Sequence, residues 1–324
     1  MSHRIDTHHH IMPPKYLEKE RDRVIASAPH YKQTMLEWTP QKAIDAMDAS
    51  GIETAITSIS APGIWFGDDK KARGVARDCN DFAAKMAQDH KGRFGIFAVL
   101  PIPDVDGSLA EIAYAFDELK ADGIGLVTVF GNMYPGDKAL MPVWEELNRR
   151  KAVVYFHPTV QDCCTGLIPG IVAPMMEFPF DTTRAITSLA TGGVFAHCPN
   201  IRFIFSHGGG TLPALAPRIA SHLDRQAALK PFMPDGAMGM FGKLYYDVVG
   251  VAHPMPFGAL RQLADISHLL YGSDYPFWHP QVTVDQLARL GLNARELAAV
   301  ERDNALALVP TLKARMALPG LAAE

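Results

Sequence analysis

Short runs of apolar and β-branched residues alternate with amphipathic stretches along most of the chain. The runs predict eight strands, at residues 4–8, 54–60, 93–99, 123–129, 153–157, 202–207, 244–248 and 269–272. Between them, the helical spacing of apolar residues predicts helices that include residues 40–50, 72–89, 109–121 and 142–151. Strands that alternate with helices are typical of parallel βαβ units. The chain is therefore expected to form either a closed (β/α)8 barrel or a doubly wound open sheet.

Two features favour the barrel, an α/β fold of the TIM-barrel class. The first strand-to-helix turn carries histidines at residues 8–10, where a dinucleotide-binding sheet would need the pattern G-x-G-x-x-G. Polar residues also recur at the carboxyl ends of the first, fifth, sixth and eighth predicted strands. That is the face on which a (β/α)8 barrel builds its site.

Two segments interrupt the repeat, and both are longer than an ordinary connection between elements. Residues 11–39 form a small insertion after strand one, with a charged helix-like stretch that ends at Trp38. Residues 158–182 form a long loop after strand five, which is apolar and contains several prolines and methionines. This loop is expected to cover a substrate or to contact a second subunit, with an extra hairpin capping the barrel as the alternative. We expect a single domain over residues 1–324, because neither repeats nor a linker is evident.

Composition and charge restrict the possible functions of the chain more than they restrict its possible folds. The chain has 324 residues, 48% of them hydrophobic and 20% charged, and a formal net charge of −4. A mildly acidic chain without a basic cluster is not expected to bind nucleic acid or an anionic membrane surface. The first residues, MSHRID, lack an apolar signal core, and no apolar run of about eighteen residues follows. We expect a cytoplasmic enzyme whose four cysteines stay reduced.

The strongest chemical signal is Asp6-Thr7-His8-His9-His10 at the end of the first predicted strand. Side chains alternate along an extended chain, so His8 and His10 point to one side and His9 to the other. Two imidazoles on the same side can bind one metal ion. His9 is expected to pack or to support the two ligands.

Two further strand ends complete a candidate ligand set. His157 ends the fifth predicted strand in VVYFHPT, and Asp274 follows the eighth in LLYGSDYP. In a closed barrel these ends meet at one mouth. Three imidazole nitrogens and one carboxylate suit zinc, manganese or a similar divalent ion, with positions left open for water or substrate. A strand-end histidine alone is more often a buried hydrogen-bonding residue, but the four together favour a metal site.

His207 ends the sixth predicted strand in FIFSHGGG, at the same rim of the barrel. Beside a metal it is a candidate fifth ligand, general acid or base, or structural group, because histidine suits proton transfer near neutral pH. The glycines that follow allow a ligand to approach the backbone closely. As a phosphate loop the triplet is a weak signal, because no Gly-Lys-Ser/Thr accompanies it.

These motifs resemble those of a known family. DTHHHIMPP, VYFHPT, FSHGGGTLP and YGSDYPF, in this order and spacing, are similar to the amidohydrolase superfamily. More narrowly they resemble its metal-dependent, non-oxidative decarboxylases, which include aminocarboxymuconate semialdehyde decarboxylase. Shorter segments, among them WTP, SAPG, ARDCN, RRKAVVYFHPT and MMEFPFDTTRAI, resemble the 6-methylsalicylate decarboxylases of that branch. The resemblance covers essentially the whole chain.

The resemblance implies a role for each matching residue. The four candidate ligands would hold one divalent ion, zinc or manganese, without an organic cofactor. His207 would be the catalytic histidine beside that ion. Arg218 would reach into a neighbouring subunit's site and bind the substrate, which implies a homodimer or a dimer of dimers. The fourth predicted strand, GIGLVTVF, lacks the lysine that bridges two metals in other superfamily members, which favours a single ion.

The implied reaction is decarboxylation of an ortho-hydroxy aromatic acid, with 6-methylsalicylate giving 3-methylphenol and CO2. An ionised ortho hydroxyl pushes electron density onto the carboxyl-bearing carbon, which accepts a proton before CO2 leaves. Asp274 is expected to deliver this proton, with His207 assisting or substituting. The substrate is expected to carry one carboxylate, because Trp38-Thr39-Pro40-Gln41 occupies the stretch where relatives have a second substrate arginine.

Aromatic residues on the loops at the mouth are candidate walls for a substrate ring, although packing of the barrel's cap explains each of them equally well. The set comprises Trp38, Trp65, Phe178, Phe180, Tyr275 and Phe277. We take Trp38, Trp65, Phe178 and Phe277 as the substrate-binding candidates, together with Arg218. For Glu177 and Asp247, a functional role and the capping of a loop explain the sequence position equally well.

Two other functions would use the same residues. A metal-dependent hydrolase of a lactone or amide would activate water, with His207 or Asp274 as the base. A non-catalytic metal-binding barrel would keep the ligands without any turnover. Product analysis separates hydrolysis from decarboxylation, and retained metal without turnover would indicate the non-catalytic barrel.

Overall fold

A computed structural model describes residues 3–316 as a (β/α)8 barrel. Eight parallel strands follow one another around the barrel in sequence order, so the predicted fold class is confirmed. The strands are β1 (Arg4–His10), β2 (Ile52–Ser58), β3 (Phe94–Val99), β4 (Gly123–Val127), β5 (Val153–His157), β6 (Arg202–Phe205), β7 (Tyr245–Asp247) and β8 (Leu269–Leu270). The predicted domain over 1–324 extends at both ends beyond the described residues.

Helices lie between the strands and also in the two interrupting segments. They are α1 (Pro14–Ser27), α2 (Lys32–Leu36), α3 (Pro40–Ala49), α4 (Asp69–Asp89), α5 (Val105–Ala113), α6 (Met141–Arg149), α7 (Glu177–Thr191), α8 (Val194–His197), α9 (Leu212–Leu223), α10 (Gly236–Phe241), α11 (Pro254–Leu263), α12 (Gln281–Leu287), α13 (Ala294–Ala298), α14 (Asn304–Leu308) and α15 (Thr311–Met316). Over residues 3–316, none of these helices has both the length and the apolar character needed to cross a bilayer.

Local sequence explains where the helices begin. At α3, the Thr39 side chain accepts a hydrogen bond from the Lys42 amide, and Pro40 occupies the first turn. At α4, Asp68 accepts from the Lys71 amide in the same way. These caps satisfy backbone donors that have no partner inside the helix.

The barrel interior holds its own apolar cluster, separate from the larger core between strands and helices. Ile5 and Val153, near the amino ends of their strands, and Ile56 of β2 pack there with Leu308 and Leu312. Leu308 ends α14 and Leu312 lies in α15, so the last helices close the amino-terminal end of the barrel.

The two interrupting segments differ in structure. The first contains α1 and α2 and brings Trp38 into the core, where its ring lies 6.1 Å from that of Phe82. The second contains short 3-10 turns at Asp162–Cys164 and Ala173–Met175 and then enters α7, and no strand occurs in it. The alternative of an extra hairpin is therefore wrong.

The cysteines depart from the expectation in part. Cys163 and Cys164 are joined in a disulfide between adjacent residues, so the expectation of four reduced thiols is wrong for this pair. Cys79 and Cys198 are free and buried, in agreement with the expectation.

Asp6 closes the barrel between its first and last strands. Its buried carboxylate accepts hydrogen bonds from the backbone amides of His8 and Ser273, from the Ser273 hydroxyl and from His9 Nδ1. Nearby, the Thr7 amide donates to the Tyr271 carbonyl at 3.0 Å. Because β8 has only two residues, these bonds attach the chain after it to β1.

We expect Asp6→Asn to destabilise the protein by about 3 kcal/mol. Both oxygens of the carboxylate accept hydrogen bonds, whereas the NH2 group of asparagine cannot accept one, so some of the surrounding donors would be left unpaired in the interior. Urea unfolding in the presence of a chelator measures the free energy without a contribution from bound metal. The matched control is Asp48→Asn, whose carboxylate is 61% exposed and pairs with Arg93, and it should cost less than about 1 kcal/mol. Equal effects of the two substitutions would contradict this role of Asp6.

Candidate metal centre and active site

Three histidines and one aspartate meet at the carboxyl-terminal end of the barrel. His8 and His10 lie at the end of β1, His157 is the last residue of β5, and Asp274 follows β8. All four are buried, and one possible ligand atom from each lies within 4.8 Å of the others. The predicted ligand set is thus brought together in space.

The alternation predicted for β1 explains why His9 is not in this group. Its ring points to the other side of the strand, where Nδ1 lies 3.0 Å from Asp6 and the ring stacks on Tyr275 at 4.8 Å between centroids. His9 therefore packs beneath the site and helps to fix β1.

The Asp274 carboxylate lies at the centre of the group. Its Oδ1 is 3.1 Å from His8 Nε2, 3.2 Å from His10 Nε2 and 3.9 Å from His157 Nε2. This oxygen is buried and lacks a partner with hydrogen-bond geometry. His8 Nε2 and His10 Nε2 lie 3.0 Å apart, and with His157 Nε2 and the Asp274 oxygen they form a donor set that suits a divalent transition metal.

Each histidine uses its other ring nitrogen in a hydrogen-bond contact with a neighbouring group. His8 Nδ1 lies 2.8 Å from Asp247 Oδ2, and His10 Nδ1 lies 3.1 Å from the Ser58 hydroxyl. His157 Nδ1 donates to the Pro158 carbonyl at 2.9 Å. A proton on Nδ1 leaves Nε2 with its lone pair, which is the form that binds a metal ion.

Burial and neighbouring charges set the protonation of the group. Burial lowers the pKa of His10 to about 4 and holds the pKa of His157 well below its ordinary value. Burial acts in the same direction on His8, but the carboxylates of Asp247 and Asp274 outweigh it and raise the pKa of His8 to about 10. Burial also disfavours the ionised Asp274, yet His8, His10 and His207 keep its pKa well below the ordinary range. The carboxylate is therefore ionised, and a proton on His8 must leave when a cation binds.

His207 lies beside the group in a turn that follows β6. Its Nε2 is 3.3 Å from Asp274 Oδ2, and its backbone amide donates to Asp247 at 2.9 Å. Its side chain is 19% exposed, so one face of the ring is open to the cavity described next. The turn requires Gly210, which has φ +67° and where a Cβ atom would lie 2.1 Å from the Pro179 carbonyl oxygen.

A cavity of about 290 Å³ opens directly onto His157, His207 and Asp274. The other lining residues are Ser27, Ala28, Tyr31, Ser60, Ala61, Pro174, Met175, Phe178, Pro179, Gly210, Val249, Gly250, Val251, Phe277 and Trp278. Most of this wall is apolar, and its hydroxyl groups come from Ser27, Tyr31 and Ser60. Among the described lining residues there is neither a lysine nor an arginine.

The structure separates the aromatic candidates into two sets. Phe178 and Phe277 line the cavity, with ring centroids 5.9 Å from His157 and 5.7 Å from His10. Trp38 lies in the core, and Trp65 donates from Nε1 to Asp69 beside a second, smaller cavity. The two tryptophans therefore lie outside the described lining of the cavity next to the histidines.

The remaining candidates are placed as follows. Arg218 is exposed on α9 and lies outside the lining of its own chain's cavity. Glu177 also lies outside that lining, at the start of α7. Asp247, which the sequence left open, is fully buried and bonds to both His8 and His207.

Sequence reasoning missed the hydroxyl groups of the cavity. Ser27 and Tyr31 come from the first interrupting segment, whose sequence gives no sign of which residues turn inwards. Asp247 could have been chosen by the same strand-end rule that found the ligands, because it is the last residue of β7.

A (β/α)8 barrel with three histidines and one aspartate at its carboxyl-terminal end defines a class of metal-site enzymes. The chain belongs to the amidohydrolase family, whose model matches residues 5–311. The family resemblance inferred from the motifs is confirmed.

Known decarboxylases are similar over most of the chain. Decarboxylase yanB of Aspergillus niger is 37% identical over 327 residues, which cover 95% of this chain and 87% of that protein. 6-Methylsalicylic acid decarboxylase acuB of Aspergillus aculeatus is 34% identical over 329 residues, covering 96% of this chain and 97% of that protein.

Among solved structures, a dihydroxybenzoic acid decarboxylase from Polaromonas sp. JS666 contains manganese and the inhibitor 2-nitroresorcinol. It is 21% identical and matches with a TM-score of 0.85 over 98% of this chain and 100% of its own. At that identity the match shows a shared fold.

We expect Asp247→Asn to weaken binding of Zn²⁺ or Mn²⁺ about 10- to 100-fold, because a carboxylate on the outer nitrogen orients the imidazole and makes it more basic. Competition with a chromogenic chelator measures the dissociation constant. Glu177→Gln is the matched control and should leave that constant unchanged, since Glu177 lies outside the cavity lining. An Asp247→Asn protein that binds the ion as tightly as the unmodified chain would refute this role.

Proposed function

We propose that this protein is a metal-dependent, oxygen-independent decarboxylase of an ortho-hydroxy aromatic acid, with 6-methylsalicylate converted to 3-methylphenol and CO2. The observation that carries the proposal is the buried group of three imidazoles and one carboxylate, open on one side to a mostly apolar cavity. Similarity to 6-methylsalicylic acid decarboxylase over nearly the whole chain supports the same substrate class.

His8, His10, His157 and Asp274 are the proposed ligands of one divalent ion, zinc or manganese. When bound, such an ion supplies Lewis-acid chemistry: it favours the ionised ortho hydroxyl and orients the carboxylate without any redox change. His8 and His157 present Nε2 because their Nδ1 atoms are committed to Asp247 and to the Pro158 carbonyl.

His207 and Asp274 are the proposed proton carriers. In the reaction the ring carbon gains a proton, the bond from that carbon to the carboxyl carbon breaks, and its electron pair stays with the ring while CO2 leaves. His207 Nε2 and Asp274 Oδ2 are 3.3 Å apart and both residues line the cavity, so a proton can be held between them and delivered to the ring.

Phe178 and Phe277 are the proposed walls for the substrate ring. Both rings line the cavity, together with apolar side chains that include Met175 and Val251. A ring with one alkyl substituent fits such a lining better than a ring with a second charged group. Trp38 and Trp65 have no part in this proposal, because both lie outside the lining.

The test is anaerobic incubation of the metal-loaded protein with 6-methylsalicylate, followed by absorbance and by identification of the product. We expect 3-methylphenol and CO2, with activity abolished by a chelator and restored by manganese or zinc. As a matched variant, His207→Asn should lose about 100-fold or more of the activity while its metal content stays the same.

Unchanged 6-methylsalicylate in metal-loaded protein would remove this substrate, and other ortho-hydroxybenzoates would then be tested. Turnover of a lactone or an amide, with no decarboxylation, would favour the hydrolase alternative. Retained metal without turnover of any of these compounds would favour the non-catalytic barrel.

We also propose a homodimer, or a dimer of dimers, in which Arg218 serves the neighbouring subunit. The substrate carries an anion, yet the described lining of the cavity contains neither a lysine nor an arginine. Arg218 is exposed on α9, which starts directly after the turn that holds His207. The segment 158–182 adds exposed apolar side chains for such a contact, with Leu167 and Met175 exposed by 62% and 61%.

We expect Arg218→Ala to raise KM by about 10- to 100-fold, the usual effect of losing a hydrogen bond to a charged group, with little change in metal content. Steady-state kinetics and metal analysis measure the two quantities, and light scattering gives the mass of the assembly. Arg225→Ala, an exposed arginine just beyond α9, is the control and should behave as the unmodified chain. Loss of metal, or an unchanged KM, would refute this role for Arg218.

The cytoplasmic location and the organisation as a single domain over residues 1–324 remain predictions from the sequence.

A further inference from the structure

Asp181 is a buried carboxylate that the cavity does not use. It lies in the second turn of α7, fully shielded from solvent, and it is not among the residues that line the cavity. The Tyr134 hydroxyl donates to Oδ1 at 2.6 Å, and the Thr128 hydroxyl donates to Oδ2 over a short distance. Burying a carboxylate costs free energy unless such hydrogen bonds compensate for the lost hydration. A buried carboxylate outside the cavity therefore indicates a specific role.

The Thr128 hydroxyl connects Asp181 to the peptide that follows His157. The Thr159 amide donates to Thr128 Oγ1 at 3.0 Å. An amide can only donate here, so the hydroxyl oxygen accepts from Thr159 and its own proton is directed at Asp181. The directions of both hydrogen bonds are therefore fixed.

The same peptide group carries the acceptor of His157. The Thr159 amide and the Pro158 carbonyl belong to one planar unit, and His157 Nδ1 donates to that carbonyl at 2.9 Å. A continuous path thus runs from the Asp181 carboxylate through the Thr128 hydroxyl and the peptide to the imidazole. Every donor in it points towards Asp181, and aligned hydrogen bonds of this kind polarise one another.

We propose that Asp181 is a positioning residue for His157, acting through Thr128 and the peptide between Pro158 and Thr159. The path holds the His157 proton on Nδ1 and leaves the lone pair of Nε2 directed at the metal position. It does for His157 what direct contact with Asp247 does for His8. This inference rests on the metal site that the proposed function assigns.

The fold explains why this histidine needs an indirect support. His157 ends β5, and its neighbour in register on β4 is Val127, so Thr128 lies beside the first peptide after the strand. That peptide begins the long segment 158–182, which has little regular structure before α7. Asp181 lies at the far end of the same segment, and its bond to Thr128 therefore fixes both ends of the segment against β4.

The electrostatics of Asp181 agree with this role. Burial raises the pKa of its carboxyl, while the hydrogen bonds from Thr128 and Tyr134 and the charge of Arg184 oppose that rise. Arg184 Nη1 lies 3.6 Å from Oδ1, and the Arg184 side chain is partly exposed. Its positive charge therefore stabilises the Asp181 carboxylate without being buried itself.

The test is the affinity of the metal-free protein for Zn²⁺, measured by chelator competition in Thr128→Val and Asp181→Asn. Thr128→Val breaks the path and Asp181→Asn removes the negative charge at its end, both with little change in the shape of the side chain, and each should weaken binding about 10- to 100-fold. Thr128→Ser retains the hydroxyl and should restore the affinity. Tyr134→Phe removes the other hydrogen bond to the same carboxylate without breaking the path, so its affinity should match that of the unmodified chain.

A merely structural role makes different predictions. If Asp181 and Thr128 act through one path, the double variant should lose no more affinity than either single variant; additive losses would overturn the proposal. Unchanged affinity in Thr128→Val, or an equal loss in Tyr134→Phe, would also overturn it. Circular dichroism and thermal unfolding in the presence of a chelator identify a variant that fails to fold. If one single variant fails to fold, the Zn²⁺ affinity of the other, compared with that of the control variants, tests the proposal.

These measurements need no substrate, so they separate this inference from the proposed activity. Protein that binds Zn²⁺ in the predicted pattern but decarboxylates nothing would support the path and refute the proposed reaction. Protein whose unmodified form binds no divalent ion would overturn both.

Discussion

The site depends on how the last strand is joined to the first. β8 has only two residues and cannot by itself hold Asp274 over the histidines. The Asp274 amide donates to the His8 carbonyl at 2.8 Å, and Asp6 binds both the amide and the hydroxyl of Ser273. The same bonds that complete the barrel therefore also position Asp274, the only carboxylate of the ligand group.

The three histidines of the group are held by three different kinds of group at their outer nitrogens. His8 has a carboxylate at its outer nitrogen, His10 a hydroxyl and His157 a peptide carbonyl. A full set of carboxylates would put too much negative charge into a buried pocket that already contains Asp274. His157 is connected to Asp181 through a peptide and a hydroxyl instead. The path polarises His157, and the negative charge of Asp181 stays at a distance from the ligand group.

The sequence predicted most of the fold and the ligand group because both follow from simple periodicities. Alternation in β1 separated His8 and His10 from His9, and the convergence of strand ends brought in His157 and Asp274. Among the aromatic candidates, Phe178 and Phe277 line the cavity, whereas Trp38 packs against Phe82 in the core. Such packing inside an insertion has no period along the chain and depends on contacts between distant residues.

The cavity divides its functions between two kinds of chain segment. The residues that carry the proposed chemistry come from strand ends, whose position the barrel fixes. About half of the wall residues come from the two insertions, among them Tyr31 from the first and Met175 and Phe178 from the second. Substitution at cavity-facing positions of these insertions, such as Tyr31 or Met175, can reshape the cavity without moving a ligand, because these side chains make none of the bonds described above that close the barrel. This separation explains why strand-end motifs identify the ligands of such an enzyme so readily, while the shape of its cavity also depends on insertion residues, such as Tyr31, that lie outside those motifs.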